Sequence, residues 1–288
     1  MIKDVVLVNG EMLTTETAKV EYNDRGNLFG DGAFEIVPVY NGKCFALLPH
    51  MESLFESVIA IKIPGIYTVE ELVEFHEELI KETGLVNGEI YAQVTRGSGN
   101  FGLSYPDMMV PQLTMFAMEK DRSDLTKRQE EGVNVITQPD VRWERCDINS
   151  LNRLPEVMAK QKARESRAFD SVFVRGDKIT EATEGNLMIV KDDIIWTHPA
   201  NNFIHHTITR RLVKERLAPD MDMQVVEKAF TVDFALSADE VFLAGPTCEI
   251  VPVTKIDRKF VADRKPGEVT KKLQGMFRQF IAKECPGK

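Results

Sequence analysis

Four cysteines in 288 residues are too few, and too far apart, to carry a framework. Cys44, Cys146, Cys248 and Cys285 form no CxxC pair, which sets aside a zinc site and a disulfide scaffold and leaves four reduced thiols as the expectation. Long apolar runs are also missing. Nothing approaches the roughly 20 residues that cross a bilayer, and the opening MIKDVVLVNGEM lacks the apolar segment of a signal peptide, so a cytoplasmic protein without membrane partners is expected. Nor is there an excess of positive charge. With 36 Lys and Arg against 45 Asp and Glu the formal net charge is -9, which argues against broad binding to nucleic acid and leaves room only for a local basic pocket. Internal repeats and low-complexity stretches are absent.

What is present is an ordinary globular composition, 43% hydrophobic and 28% charged, in a chain long enough for two domains with real cores. The opening alternation breaks at Asn9-Gly10, a hairpin signal, and Asn41-Gly42 closes a second hairpin after DRGNLFGDGAFEIVPVY. Pro38 within that strand predicts an edge or a bulge, because proline donates nothing to a central ladder. Helical periodicity covers 50–61 and 69–83, the second opened by a Thr68/Glu71 capping box. GEIYAQVTRG and PQLTMFAMEK read as strands joined by a loop over 98–107.

The second half starts with the strand VNVITQPDVRW and a helix over about 154–167, with Leu154, Val157, Met158 and Gln161 placed toward the core. Strands follow around TEATEGN and in DDIIWTHP, then a helix opened by Thr207 or Thr209, the strands DEVFLAG and EIVPVTKID, and a last amphipathic helix over about 267–283. Strands and helices mix without regular alternation, which predicts an α+β fold. A small N-terminal α/β domain is expected over 1–120, a polar linker over 121–131 and a larger C-terminal α/β domain over 132–288.

RGNLFGDGAFE, VTRGSG, RCDINSLNRLPEVMAKQ, ITEATEGNLM, THPANN, TITRRLV and EIVPVTKID follow in that order along almost the whole chain. Together they resemble the class IV aminotransferases, pyridoxal phosphate enzymes of fold type IV. RCDI-x-SLN, VMAKQ and THPANN are most similar to D-amino-acid aminotransferase, while RGSG and LNRL are also similar to aminodeoxychorismate lyase. The resemblance implies two domains with the cofactor and a small-molecule ligand between them, usually in a homodimer.

In that family one lysine holds the cofactor aldehyde as a Schiff base and, once released, moves the proton. The resemblance places that lysine at Asn149, whose neutral amide does neither. Lys160 is eleven residues further on, mostly along a helix, and at about 1.5 Å per residue it lies too far off; with Lys162 it is read as a solvated flank. Two more family positions are changed. The arginine for the cofactor phosphate matches Ser53, and the arginine for the substrate carboxylate matches Phe101, with Leu103 in place of a further polar or aromatic partner. Phe34 lacks a hydroxyl found in D-amino-acid aminotransferase but fits the lyase pattern.

Part of the cofactor cradle is retained. Glu181 matches the carboxylate that bonds the pyridine nitrogen, the plain alternative being a surface glutamate in a turn. Thr207, Ile208 and Thr209 open a helix, where backbone N–H groups and a threonine hydroxyl would take the phosphate, or where a threonine is simply an N-cap. The family often has glycine at position 207. Asn186 would brace the adjacent backbone. His205 and His206 either face the pocket or sit in water, and two histidines with no third ligand define no metal site. His50, His76 and His198 are read as structural, and Arg25, Asp31, Gly30 and Gly32 as the architecture of the first turn.

Asn149, Ser53 and Phe101 together favour a divergent member: not an ordinary transaminase, but a binder of a phosphate-bearing or other small ligand, with pyridoxal phosphate held non-covalently if bound, and no metal. The alternative is an active pyridoxal phosphate-dependent aminotransferase of D-amino-acid or branched-chain type, or a lyase-like enzyme.

Overall fold

The computed structural model describes residues 1–65, 67–108 and 110–287. Two compact units emerge. Unit 1 takes Met1–Asp121, Ile148–Asn152 and the residues from Ile281; unit 2 takes Arg122–Asp147 and Arg153–Phe280. The short return of 148–152 to unit 1 is not foreseen by a boundary drawn at one linker.

In unit 1, β1 (Ile2–Val8) turns through Asn9-Gly10 into β2 (Glu11–Thr14), and φ of 51° and 84° at those residues gives the left-handed pair a two-residue hairpin needs. The Asp24 carboxylate caps α1 (Arg25–Phe29), which leads into β3 (Gly32–Tyr40) and, through Asn41-Gly42, into β4 (Lys43–Cys44). Next come α2 (Leu47–Ala60) and α3 (Val69–Thr83). Thr68 N donates to Glu71 at 2.7 Å and Glu71 N donates to Thr68 Oγ1 at 3.2 Å, the reciprocal box read from the sequence. β5 (Gly88–Thr95) and β6 (Gln112–Glu119) complete an antiparallel sheet in the order β2-β1-β6-β5-β3-β4. Alternate residues such as Val37 and Val39, Ile90 and Ala92, Leu113 and Met115 face the core with Met51, Leu54, Leu72 and Leu79 of the helices.

Pro38 lies in β3 next to the edge strand. Its carbonyl accepts from Phe45 N at 2.8 Å, on the side away from β5. A strand residue's N and C=O point the same way, so the missing N–H falls on the short β4 side and leaves the β3–β5 ladder intact.

Unit 2 runs α4 (Ser123–Glu131), β7 (Val133–Pro139), α5 (Leu154–Glu165), β8 (Asp170–Arg175), β9 (Lys178–Ala182), β10 (Asn186–Lys191), β11 (Ile194–Thr197), α6 (Ile208–Leu212), β12 (Gln224–Glu227), α7 (Val232–Leu236), β13 (Glu240–Gly245), β14 (Glu249–Ile256), β15 (Lys259–Phe260) and α8 (Glu268–Glu284) as far as Phe280, the last residues of α8 being counted in unit 1. Its sheet has the order β12-β11-β10-β13-β14-β7-β8-β9, with β15 on β14. The pairs β11/β12, β14/β7 and β7/β8 are parallel and the others antiparallel, as a mixed α+β architecture requires.

Three expectations are corrected. The stretch 121–131 is no open linker: it holds α4, where Leu125 packs on the core and buried Gln129, one turn on, donates to Glu249 at 3.0 Å. Second, Leu154, Val157, Met158 and Gln161 of α5 are exposed. The buried face is Ala159 and Ala163, whose small side chains let the helix backbone approach β8, with Ser171 Oγ donating to Ala159 O at 2.6 Å. Third, the helix from Thr207 is regular only to Leu212 and continues over Val213–Leu217 in wider π-type turns.

Candidate functional site

The sequence-predicted residues fall into two groups, one in each unit. In unit 1 the segment 148–152 is bonded along the start of β3. Phe34 N donates to Asn149 O at 2.9 Å, Leu151 N to Gly32 O at 3.0 Å, and Asn149 N to Ser57 Oγ at 3.0 Å. Two glycines permit this approach. A Cβ on Gly30, at φ 66°, would strike Asn152 at 2.5 Å, and one on Gly32 would strike Leu151 and the Val94 carbonyl at 2.7 Å. Main-chain bonds on both sides therefore fix residue 149, while its half-buried side-chain amide has no hydrogen-bond partner among the described residues. Ser53 is buried on α2, one turn before Ser57.

Phe101 and Leu103 are 82% and 86% exposed. Their loop is held through its backbone: Arg25 donates to Gly102 O at 2.7 Å and to Asp31 at 2.8 Å, and Arg96 grips both Asp31 oxygens at 2.8 and 2.9 Å. Burial by itself would raise the Asp31 carboxyl, but the hydrogen bonds from Arg96 and Arg25 outweigh it and hold the group below its ordinary value. Phe34 is buried and stacks on Tyr91 with ring centres 5.5 Å apart.

Unit 2 holds the more developed cluster. Glu181, at the end of β9, is 4% exposed. Arg142 contacts its Oε1, while His205 N and Asn186 Nδ2 donate to Oε2 at 3.0 and 3.2 Å. Burial pushes this carboxyl up to about 7, against the pull of Arg142 and the His205 N–H. A carboxylate accepts about four hydrogen bonds. With three donors in place, Glu181 keeps room for one more partner, which fits a pyridine N–H.

Around it, Thr207 is the N-cap of α6. Its hydroxyl accepts from Arg210 N at 3.2 Å and donates to Asn186 Oδ1 at 2.8 Å, so it is committed within the fold. Ile208 and Thr209 are buried in the first turn of α6. His205 joins the cluster through its backbone, its carbonyl accepting from Asn186 at 2.9 Å. The turn after β13 packs tightly against the β9–β10 turn, since a Cβ on Gly245 would lie 2.2 Å from Glu184 O. Two residues further, the buried Thr247 hydroxyl has no partner among the described residues. Lys160 is not a solvated flank: it reaches Glu184 at 3.0 Å and buried Asp170 at 3.5 Å.

Sequence reading missed Arg142, Asp140, Ser57 and Thr247. The D-x-R pair in PDVRW was the available signal, because a strand that ends in two opposite charges must place them somewhere. Among the described residues no three His, Cys, Asp or Glu come together for a metal, and no helix is long and apolar enough to cross a membrane.

A family pattern described as "Amino-transferase class IV" matches residues 32–256. D-alanine aminotransferase of Staphylococcus epidermidis is 43% identical over 277 residues, covering 96% of this chain and 97% of that one. The Listeria monocytogenes enzyme of the same name is 40% identical over 283 residues, with 97% of each covered. Among solved structures, the branched-chain amino acid aminotransferase from Escherichia coli superposes with a TM-score of 0.88 at 24% identity, covering 99% of this chain and 97% of that one. The branched-chain aminotransferase from Thermoproteus uzoniensis, solved with norvaline, gives 0.86 at 24% identity, with 98% and 96% covered. These likenesses establish a shared fold, that of the fold type IV enzymes.

Proposed function

The chain belongs to the class IV aminotransferase family, and from that premise we propose that it binds a pyridoxal phosphate-type cofactor in unit 2 without the lysine that would hold it covalently. The observation that carries this reading is Glu181, a buried carboxylate held by three donors, which by lone-pair count leaves one acceptor position for a ligand. The cofactor, when bound, supplies an electron sink for the carbon beside an amino nitrogen. Glu181 would hold the proton at its ring nitrogen, and Ile208, Thr209 and the Thr247 hydroxyl are the groups proposed for its phosphate. Asn149 presents a neutral amide, which can orient a ligand but neither forms the covalent bond nor carries a proton. In unit 2, His205 beside Glu181 fits a small-molecule ligand, and in unit 1 Phe101 and Leu103 stand in place of a carboxylate-binding arginine, which argues for altered recognition. A cytoplasmic homodimer belongs to the same proposal.

A second reading has the stronger support from similarity. The 43% and 40% identities over nearly the whole chain are to D-alanine aminotransferases, which favours an active pyridoxal phosphate-dependent aminotransferase acting on D-amino acids and 2-oxo acids. Against it stands the chemistry of residue 149. One experiment separates them: incubate the protein with pyridoxal phosphate, dialyse, record absorbance and the mass after borohydride reduction, then supply D-alanine and a 2-oxo acid. A chromophore that denaturation releases, with no added mass and no amino-group exchange, supports the first reading. An added mass with exchange at enzymic speed overturns it in favour of the second, and no retained chromophore removes both.

A further inference from the structure

Asp140 does not touch Glu181, yet it determines how Arg142 meets it. The Asp140 side chain is wholly buried. It accepts from Arg142 Nε on Oδ1 and from Arg142 Nη2 on Oδ2, both at 2.9 Å, a two-pronged grip on one edge of the guanidinium. That group is planar and rigid, so gripping one edge directs the remaining corner. The remaining corner is Nη1, the atom that contacts Glu181 Oε1. Thr180 reinforces the grip, its Oγ1 donating to Asp140 Oδ2 at 2.9 Å, and the Phe173 ring lies 4.4 Å from the guanidinium carbon.

We infer that Asp140 is a positioning residue for Glu181, acting through Arg142 by clamping one edge of the guanidinium so that the opposite corner is delivered to the carboxylate. Its bearing on a cofactor rests on the reading of Glu181 as the partner of the ring nitrogen. Two effects of Asp140 on Glu181 oppose each other. Its bare negative charge disfavours a second carboxylate nearby, whereas its aim on Arg142 favours one. Aim dominates, because Arg142 is in direct contact with Glu181 while the charge of Asp140 is shared with Arg175, at 3.3 Å. Other ionisable neighbours include Glu156, 3.9 Å from Arg142, His205, His198, whose imidazole feels the charge of Asp140, and Cys146, whose thiol burial pushes up to about 12 and so keeps neutral.

The two effects predict opposite signs, which makes the test decisive. Carboxyl carbon NMR on protein labelled at glutamate, with Glu181 identified by Glu181→Gln, gives the pH midpoint of that group. Asp140→Asn is expected to raise the midpoint by about one unit. Thr180→Val, an isosteric change that loosens the clamp, moves it the same way by less and decides the matter if Asp140→Asn does not fold. In an Arg142→Gln background, Asp140→Asn adds no further rise. A midpoint that falls, or stays where it was in whichever of the two single variants folds, overturns the inference. Pyridoxine 5'-phosphate, which has no aldehyde, separates this from the functional reading. Failure of the unaltered protein to bind it sinks that reading, while the NMR shift still tests Asp140.

Discussion

Asn149→Lys puts the site to its sharpest test. The replaced amide makes no hydrogen bond among the described residues, and the backbone of residue 149 stays held by Phe34 at 2.9 Å and Ser57 at 3.0 Å. The substitution therefore removes no intramolecular bond, and we expect a stability change within about 1 kcal/mol, a Tm shift of a few degrees at most. A lysine launched from this fixed backbone supplies the amine that a pyridoxal phosphate-type aldehyde needs for covalent attachment. Affinity should stay below that of an enzyme with an arginine at the Ser53 position. One charge-assisted hydrogen bond contributes about 1.5–3 kcal/mol, so its loss corresponds to roughly 10- to 100-fold weaker binding. The assay is equilibrium dialysis with pyridoxal phosphate, followed by borohydride reduction and mapping of the modified peptide. The expected result is one added cofactor mass on residue 149 of the variant and none on the unaltered chain. Stoichiometric labelling of another lysine in the unaltered protein, or tight binding to the variant without labelling at 149, would refute the reasoning.

Other consequences are open to direct measurement. His76 is fully buried in unit 1, and burial, aided by His50 and opposed by the Leu72 carbonyl, pushes it down to about 4 from 6.5. Between those values the unfolded chain takes up a proton that the folded unit refuses. The contribution is thus intact above pH 6.5 and is lost as pH falls toward 4, by about 3 kcal/mol at 1.36 kcal/mol per unit. Denaturant melts across that window should flatten in His76→Gln, and an unchanged slope would contradict this. Gly245→Ala puts a Cβ at 2.2 Å from Glu184 O, a backbone atom, so unit 2 should lose about 2–3 kcal/mol or more, and a silent substitution would mean the two turns separate easily. Thr68→Ala removes half of a capping box and should cost unit 1 about 1 kcal/mol, read as a shift in denaturant midpoint at constant slope.

Features set by a few adjacent residues were legible in the sequence. Asn9-Gly10 and Asn41-Gly42 turn where they must because asparagine and glycine tolerate positive φ, and Thr68 with Glu71 starts α3 because the cap satisfies its own N–H groups. Pro38 predicts an edge or a bulge and is at neither: it lies in internal β3 with no bulge against β5, and its missing donor faces β4. Glu181 could be nominated from its motif, but its surroundings could not. Arg142 lies 39 residues earlier, and nothing local distinguishes a buried, clamped guanidinium from a solvated one. α5 misled for a related reason: two neighbouring helix faces fit the periodicity, and the pairing of Ala159 and Ala163 with β8 chose the small-residue face.

What the sequence determined alone is the identity of the functional groups, above all an amide at residue 149, because covalent chemistry belongs to the side chain whatever the fold does with it. What tertiary structure decided is how those groups are held: residue 149 pinned between β3 and Ser57, Glu181 enclosed by Arg142, Asn186 and His205. Proton affinity and direction depend on burial and on partners tens of residues away, and those exist only once the chain has closed on itself.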